Sequence, residues 1–312
     1  LSNAEPEKIA KKISDIITIN TISFKRRITM IKTKLSKQLL DHAITFVIFI
    51  TVWDANPNGD PLNGNRPRTD LDGLGRISRE CILRKIRNFL QEGGHSIYYQ
   101  NPDKENFDDI ESLLQRVEAN GNLAALMKTN SRKKFKEESC ELWLDVRLFG
   151  ATFAFTGFTD SVHEAVSISD AKSSSPVDIE TMQISKIQPA EPGRKSNTLG
   201  TRHSVPFAVY QVFGSISPSL SRKNGVTLDD VQALKSAILN MFQNDASSAR
   251  PDGSMEVSCL YWWEHKEANP AANTTKIRNA FNITKVANNK RFEDYKIEWK
   301  LDNCVQPEII RN

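Results

Sequence analysis

Residues 43–53 read AITFVIFITVW, the longest apolar run in the chain, and the run is rich in β-branched and aromatic side chains. That composition suits a buried strand. It is too short to cross a bilayer, which takes about 20 apolar residues in a helix. A strand of this kind needs a sizeable core to hide it. The 312 residues, 39% apolar and 26% charged, suffice for one large or two small cores.

The run is followed by a polar loop, Asp54 to Gly75, and then by helical spacing over 76–92, with Ile82, Leu83, Ile86, Phe89 and Leu90 on the apolar side. Gly93-Gly94 stops that helix. Residues 95–140 are hydrophilic, with one helix expected near 107–118 and a basic run, KTNSRKKFK, from Lys128 to Lys136. Residues 142–156 read as a second strand, broken at Gly150. Residues 157–203 alternate short strand-like pieces with Ser, Pro and Gly, the pattern of a protruding hairpin. A third strand is expected at 204–216. A helix follows, capped by Thr227 with Asp229 and Asp230 in its first turn, and a fourth strand is expected at 255–263.

Strand, helix, strand, strand, helix, strand is an α+β plan. It is the ferredoxin-like β-α-β-β-α-β order that RNA-recognition (RRM-like) modules also use. The expected organisation is one domain over 36–312, with insertions at about 95–140 and 157–203. Residues 1–35 are set apart: Ser2-Asn3-Ala4 resembles a tag remnant, and an extension follows in which Met30 is a candidate natural start.

Cys81, Cys140, Cys259 and Cys304 stand far apart without a C-x-x-C pair, so a zinc knuckle or a disulfide framework is not expected, and a reducing cytoplasm is the default. Asp54-Ala55-Asn56-Pro57-Asn58-Gly59 imitates the start of a calcium loop. Its twelfth position is Asn65 rather than Glu, which argues against an EF-hand. The five histidines show no metal spacing, and neither a nucleophile elbow nor a P-loop occurs. No cofactor and no catalytic residue is expected.

A net charge of +4 does not by itself diagnose a nucleic-acid binder. Its distribution is more telling. On a helix over 76–92, Arg76, Glu80, Arg84 and Arg87 fall on one face, and Lys85 flanks the apolar side. Gly73, Gly75 and Ser78 precede or open the first turn, where unpaired N–H groups meet phosphate well. The same spacing equally suits a solvated basic face. Arg147 to Phe155 has the look of an RNA-stacking motif on a strand, although alternating Phe residues also make core. The segment 244–253 projects one arginine, Arg250, from a small, turn-rich loop.

Six ordered stretches together resemble one family. They are Asn56 to Pro61, Gly64 to Arg68, Leu83 to Asn88, Asp145 to Gly150, Ser248 to Pro251, and Tyr261 to His265. Over roughly residues 36–300 the chain resembles the backbone subunit of type I CRISPR Cascade complexes, closest to the type I-C branch. The resemblance implies a hand-shaped protein with a ferredoxin-like palm, a helical finger insertion and a hairpin thumb. It implies copies stacked along guide RNA beside other Cascade subunits, with bases left open to pair with target DNA. It places RNA-binding roles on Ser78, Arg84 and Arg87, on Asn56, Asn58 and Gly59 with Arg66 and Arg68, on Arg147 and Gly150, and on Arg250. Arg76 and Lys85 join them from the helix, and Arg202 from the returning thumb strand Thr198 to His203. His163 to Val166 departs from the family's usual outgoing stretch, and Leu83 stands where a Lys is often found. Backbone subunits of type III complexes cut RNA with a thumb aspartate, and Asp160, Asp170 and Asp178 lie in the equivalent region. An RNA-cleaving, magnesium-dependent subunit is therefore the alternative. No membrane association is expected.

Overall fold

The computed structural model describes residues 38–185, 199–268, 270, 273–301 and 305–312. The expectations for residues 1–35 and for Thr198 lie outside them. The described chain runs through β1 (Ile44–Ala55), β2 (Gly59–Asp60), β3 (Arg66–Pro67), β4 (Leu74–Ile77), α1 (Arg79–Glu92), α2 (Leu113–Ala119), α3 (Gly121–Lys128), α4 (Arg132–Leu142) and α5 (Leu144–Phe149). It continues through β5 (Ala151–Phe155), β6 (Phe158–Val162), β7 (Val166–Ile168), β8 (Ala171–Pro176), β9 (Glu180–Ser185), β10 (Leu199–Ile216), α6 (Pro218–Asn224) and α7 (Leu228–Asn240). The last elements are β11 (Met255–Glu264), α8 (Thr274–Ala280), β12 (Phe281–Lys285), β13 (Tyr295–Trp299) and β14 (Glu308–Arg311).

The fold is α+β around a central antiparallel sheet in the order β14-β11-β1-β10-β8-β4, with β7 and β9 also pairing with β10. The apolar run forms β1, in the middle: Ile50 stands opposite Tyr210 on β10 and Val257 on β11. One face of β1, with Phe46, Ile48 and Ile50, packs with Ile82, Ile86 and Leu90 of α1 and Val231, Leu234 and Ile238 of α7. The other face, with Val47 and Phe49, packs with Tyr261, Trp263, Ile277 of α8 and Tyr295 of β13. Cover on both faces is why the run shows no polar alternation.

The helix after the loop starts at Arg79, with Ser78 as N-cap accepting from the Cys81 N–H, and ends at Gly93. Arg76 therefore lies on β4 and not on the helix face. Thr227 caps α7 in a reciprocal box with Asp230, as the sequence predicts.

Residues 142–156 are not a core strand. Leu142, Leu144, Val146 and Leu148 alternate as a strand would, yet Leu142 ends α4, and Leu144, Val146 and Leu148 lie in α5, a six-residue helix ended by Gly150. Helical geometry buries Asp145 and Arg147 against partners far away in the chain, as described below. Gly150 has φ +70°, and a Cβ there would lie 2.4 Å from the Val162 carbonyl oxygen. The strand after it, β5, pairs only with β6 among the described residues. The outer strands of the main sheet come instead from β7, β8 and β4. Two of these, β7 and β8, lie inside the segment read as a hairpin. The same segment also gives β6 and β9, and β9 is exposed along its length and pairs with the first residues of β10.

The insertion has its own core: Tyr98, Val117, Leu123, Phe135, Trp143, Phe153 and Phe158 cluster apart from the sheet. Phe153, fully buried there, is core and not a stacking platform. Arg116, 6% exposed, ties the insertion together by donating to Asp108 at 2.6 and 2.8 Å and to the Tyr98 carbonyl at 2.9 Å. The Arg116 hydrogen bond holds the Asp108 carboxyl below its usual range. A depressed pKa gives stability that is present above the ordinary carboxylate range and lost as pH falls through the folded value. Asp108→Asn is expected to lower stability at pH 7 by about 1 kcal/mol after screening by water. Melting curves of the two proteins should converge once pH has fallen through the lowered folded-state value, where the native carboxyl is protonated too.

Candidate nucleic-acid interface

Two flanks of α1 carry the expected residues. The first is built on the loop between β1 and α1. The Asn58 side chain accepts from the Ser78 N–H at 2.8 Å, which ties the loop to the helix N-terminus. The Asn56 amide donates to the Asn65 carbonyl at 2.6 Å, and its backbone N–H donates to the Ala249 carbonyl at 2.9 Å. The second of these bonds brings the loop bearing Arg250 alongside. Gly59 is needed for close approach: a Cβ would meet Asn65 Oδ1 at 2.5 Å. Arg68 lies 3.5 Å from Asp60, and Arg66 donates to Thr181 Oγ1 of β9 at 3.2 Å. Arg202 of β10 reaches the Asp54 carbonyl at 3.5 Å.

Beneath them, Lys85 Nζ lies 2.6 Å from Asp245 Oδ1, and Arg250 Nε lies 3.4 Å from Asp245 Oδ2. Cys81 sits among these charges. Burial pushes its thiol pKa up, while Lys85, Arg250 and Arg68 oppose that.

The second flank faces the insertion across an open groove of about 780 Å³, lined by Arg79, Arg84, Arg87, Tyr99, Gly150 and Glu164 among others. Arg84 donates to the Tyr99 carbonyl at 2.7 Å. Burial, and then neighbouring Arg87, lower the Arg84 pKa. Arg87 donates to Asp145 at 3.0 Å and lies 5.0 Å from the Tyr99 ring centre and 5.3 Å from that of Phe149. Arg79 pairs with Glu164.

The structure thus brings Asn56, Asn58, Gly59, Arg66, Arg68, Ser78, Arg202 and Arg250 to one flank, and Arg84 and Gly150 to the other. Four expected residues stand otherwise. Arg76, on β4, is held by Asp170 at 2.9 Å. Lys85 is 6% exposed and spends its charge on Asp245. The Arg87 side chain is 11% exposed against a fully buried Asp145. Arg147 lies on a helix, not on a strand, where it clamps Asp230 of α7 at 2.9 and 2.8 Å and donates to the Cys140 carbonyl at 3.0 Å. Each gives up its charge because a carboxylate far away in sequence folds against it. The idea of one uninterrupted positive seam fails at these points. Gly75 does not offer an open N–H either, since it donates to Ser173 Oγ at 2.8 Å.

Arg79, Tyr99 and Thr181 were not expected at the site. Local spacing carries no signal for them, because the groove and the loop contact arise only from the insertion and from β9. Among the described residues no group of three or more His, Cys, Asp or Glu is placed to hold a metal ion. Asp70, in the loop before β4, accepts from the Asp72 and Leu74 N–H groups at 3.0 Å and pairs with Lys172 at 2.9 Å.

Two solved structures are similar in part. One is a CRISPR RNA-guided surveillance complex, pre-nicking, at 14% identity over 70% of this chain and 77% of that one, with TM-score 0.43. The other is a CRISPR RNA-guided surveillance complex at 16% identity over 70% and 68%, with TM-score 0.42. At these scores neither adds weight to the assignment. A CRISPR-associated protein Cas7 from Haloferax volcanii is 32% identical over 116 residues, 36% of this chain. The match spans about a third of that relative's length, 32%. The family described as CRISPR-associated protein Cas7 matches residues 42–300, which takes in β1, both flanks of α1 and the insertion. The chain belongs to the Cas7 family.

Proposed function

We propose that this Cas7-family chain is a guide-RNA-binding backbone subunit of a type I Cascade surveillance complex, closest to the I-C branch, and that it acts without catalysis. Copies line up along the guide beside other Cascade subunits and leave its bases free to pair with target DNA. The observation that carries this reading is the loop flank of α1. Arg66, Arg68, Arg202 and Arg250 come from three stretches of chain to one side of a helix N-terminus, among Asn58, Gly59 and Ser78. Fixed guanidinium groups beside closely approaching backbone suit a sugar–phosphate strand, which is sequence-neutral. The strand order β11-β1-β10-β8, with α1 and α7 on one face, supports a ferredoxin-like palm. In this reading the insertion serves as the fingers and the β9–β10 hairpin as the thumb. Among the described residues no helix is long and apolar enough to cross a membrane.

Binding of a single-stranded RNA should weaken steeply with salt, with a logarithmic slope of roughly −0.7 per phosphate neutralised. Fluorescence anisotropy over a salt series reads this directly, and equal binding at low and high salt would refute the proposal. For the RNA-cleaving alternative, Asp160 and Asp170 are already engaged, by Lys136 and Arg76 at 2.8 and 2.9 Å. Periodic cuts in complementary RNA, given magnesium and an assembled complex, would favour that alternative.

A further inference from the structure

The charges at Asp245 do not balance. Lys85 and Arg250 share this one carboxylate. Lys85 takes both of its oxygens, at 2.5 and 2.6 Å, and the Lys85 and Asp245 side chains are 8% and 11% exposed. Arg250 makes a looser approach. Its Nε is 3.4 Å from the carboxylate and has no hydrogen-bond partner, and its side chain is 23% exposed. No partner of either Nη is found among the described residues, so the outer edge of the guanidinium opens to solvent. The backbone holding it is fixed: Arg250 N–H donates to the Ser247 carbonyl at 3.1 Å, and Ser247 N–H donates to the Arg250 carbonyl at 2.8 Å. Asn56 N–H grips Ala249 next to it at 2.9 Å.

We infer that Asp245 is a positioning residue that aims Arg250 at a phosphate of the bound strand, and that Lys85 is its charge balance and not a phosphate ligand. The inference rests on the RNA-binding reading above and deepens it. A carboxylate beside an arginine would ordinarily cancel the charge that RNA needs. Here Lys85 cancels the carboxylate from the buried side. Lys85 and Asp245 sum to zero, and the single positive charge of Arg250 remains unspent at the surface. Orientation is kept without loss of charge. Arg68, whose buried Nε also lacks a partner, is a second guanidinium on the same flank.

The test is RNA binding by anisotropy over a salt series for three proteins, with folding checked by circular dichroism. Lys85→Met alone strands a buried carboxylate and risks misfolding. The double variant Lys85→Met/Asp245→Asn removes both charges and keeps the volume. It is expected to keep the wild-type salt slope while binding several-fold more weakly, because Arg250 retains its charge but loses its aim. Arg250→Gln is expected to make the slope shallower by roughly 0.7, one phosphate. A slope shallower by roughly 0.7 in the double variant would make Lys85 itself a phosphate ligand and overturn the inference. An unchanged slope for Arg250→Gln would also overturn it. A wild-type protein without salt dependence would instead sink the RNA-binding reading as a whole.

Discussion

Asp145→Ala is expected to lower folding stability by about 3–5 kcal/mol, the usual cost of stripping a buried charge of its partner. Asp145 is fully buried and serves three groups: Arg87 at 3.0 Å, the Tyr98 N–H at 2.7 Å and the Tyr99 N–H at 3.2 Å. Its loss leaves a guanidinium and two backbone donors without acceptors where water has little access. These groups join α1 to the start of the insertion, so that junction should open first. Equilibrium denaturation gives the total, and hydrogen exchange at Tyr98 and Tyr99 gives the location. Arg87→Met added to Asp145→Leu should recover much of the loss, since an apolar pair can replace a buried ion pair. Recovery should stay incomplete, because Tyr98 and Tyr99 still lack an acceptor. A cost under about 1 kcal/mol for Asp145→Ala would mean the site relaxes and the pair holds little together.

The largest functional effect is expected from Arg66→Glu combined with Arg68→Glu. Both residues are half-buried on the loop flank, and neither anchors a buried carboxylate. Charge-assisted hydrogen bonds contribute about 1.5–3 kcal/mol each, so losing two should weaken RNA binding by a factor on the order of 10² or more. Melting temperature should hardly change. The loss should be equal across RNA sequences, because backbone contacts carry no base information. Competition between two unrelated oligonucleotides checks this, and a loss confined to one of them would count against a phosphate-binding role.

The sequence announces some elements clearly. β1 is legible because both of its faces are covered, which leaves an unbroken apolar run, and α7 because Thr227 and Asp230 write its cap. Strand β8 is not legible. It reads AKSSSP, and its buried Ser173 works by hydrogen bonding, accepting from Gly75 N–H at 2.8 Å and donating to the Ser175 carbonyl at 2.6 Å. No hydrophobic signal marks such a strand. Helix α5 is misread because three of its apolar residues happen to alternate. At the site, the residue types near Asn58 and Arg68 are legible from the order of motifs. The fate of each charge is not. Arg87 meets Asp145 from 58 residues away and Arg147 meets Asp230 from 83, and spacing within one helix carries no trace of either pairing.

Strand β10 has one more consequence. Its first residues pair with β9 as far as Ser204 opposite Glu180, and from Val205, opposite Ala55, it continues as a neighbour of β1. The outlying hairpin is therefore a cantilever clamped in the sheet. Its bearing is inherited from the same ladder that aligns the middle of the molecule. Lengthening or rewriting the far end alters reach and chemistry and leaves the heading alone. Substitutions along the arm can change what it touches while its direction stays the same.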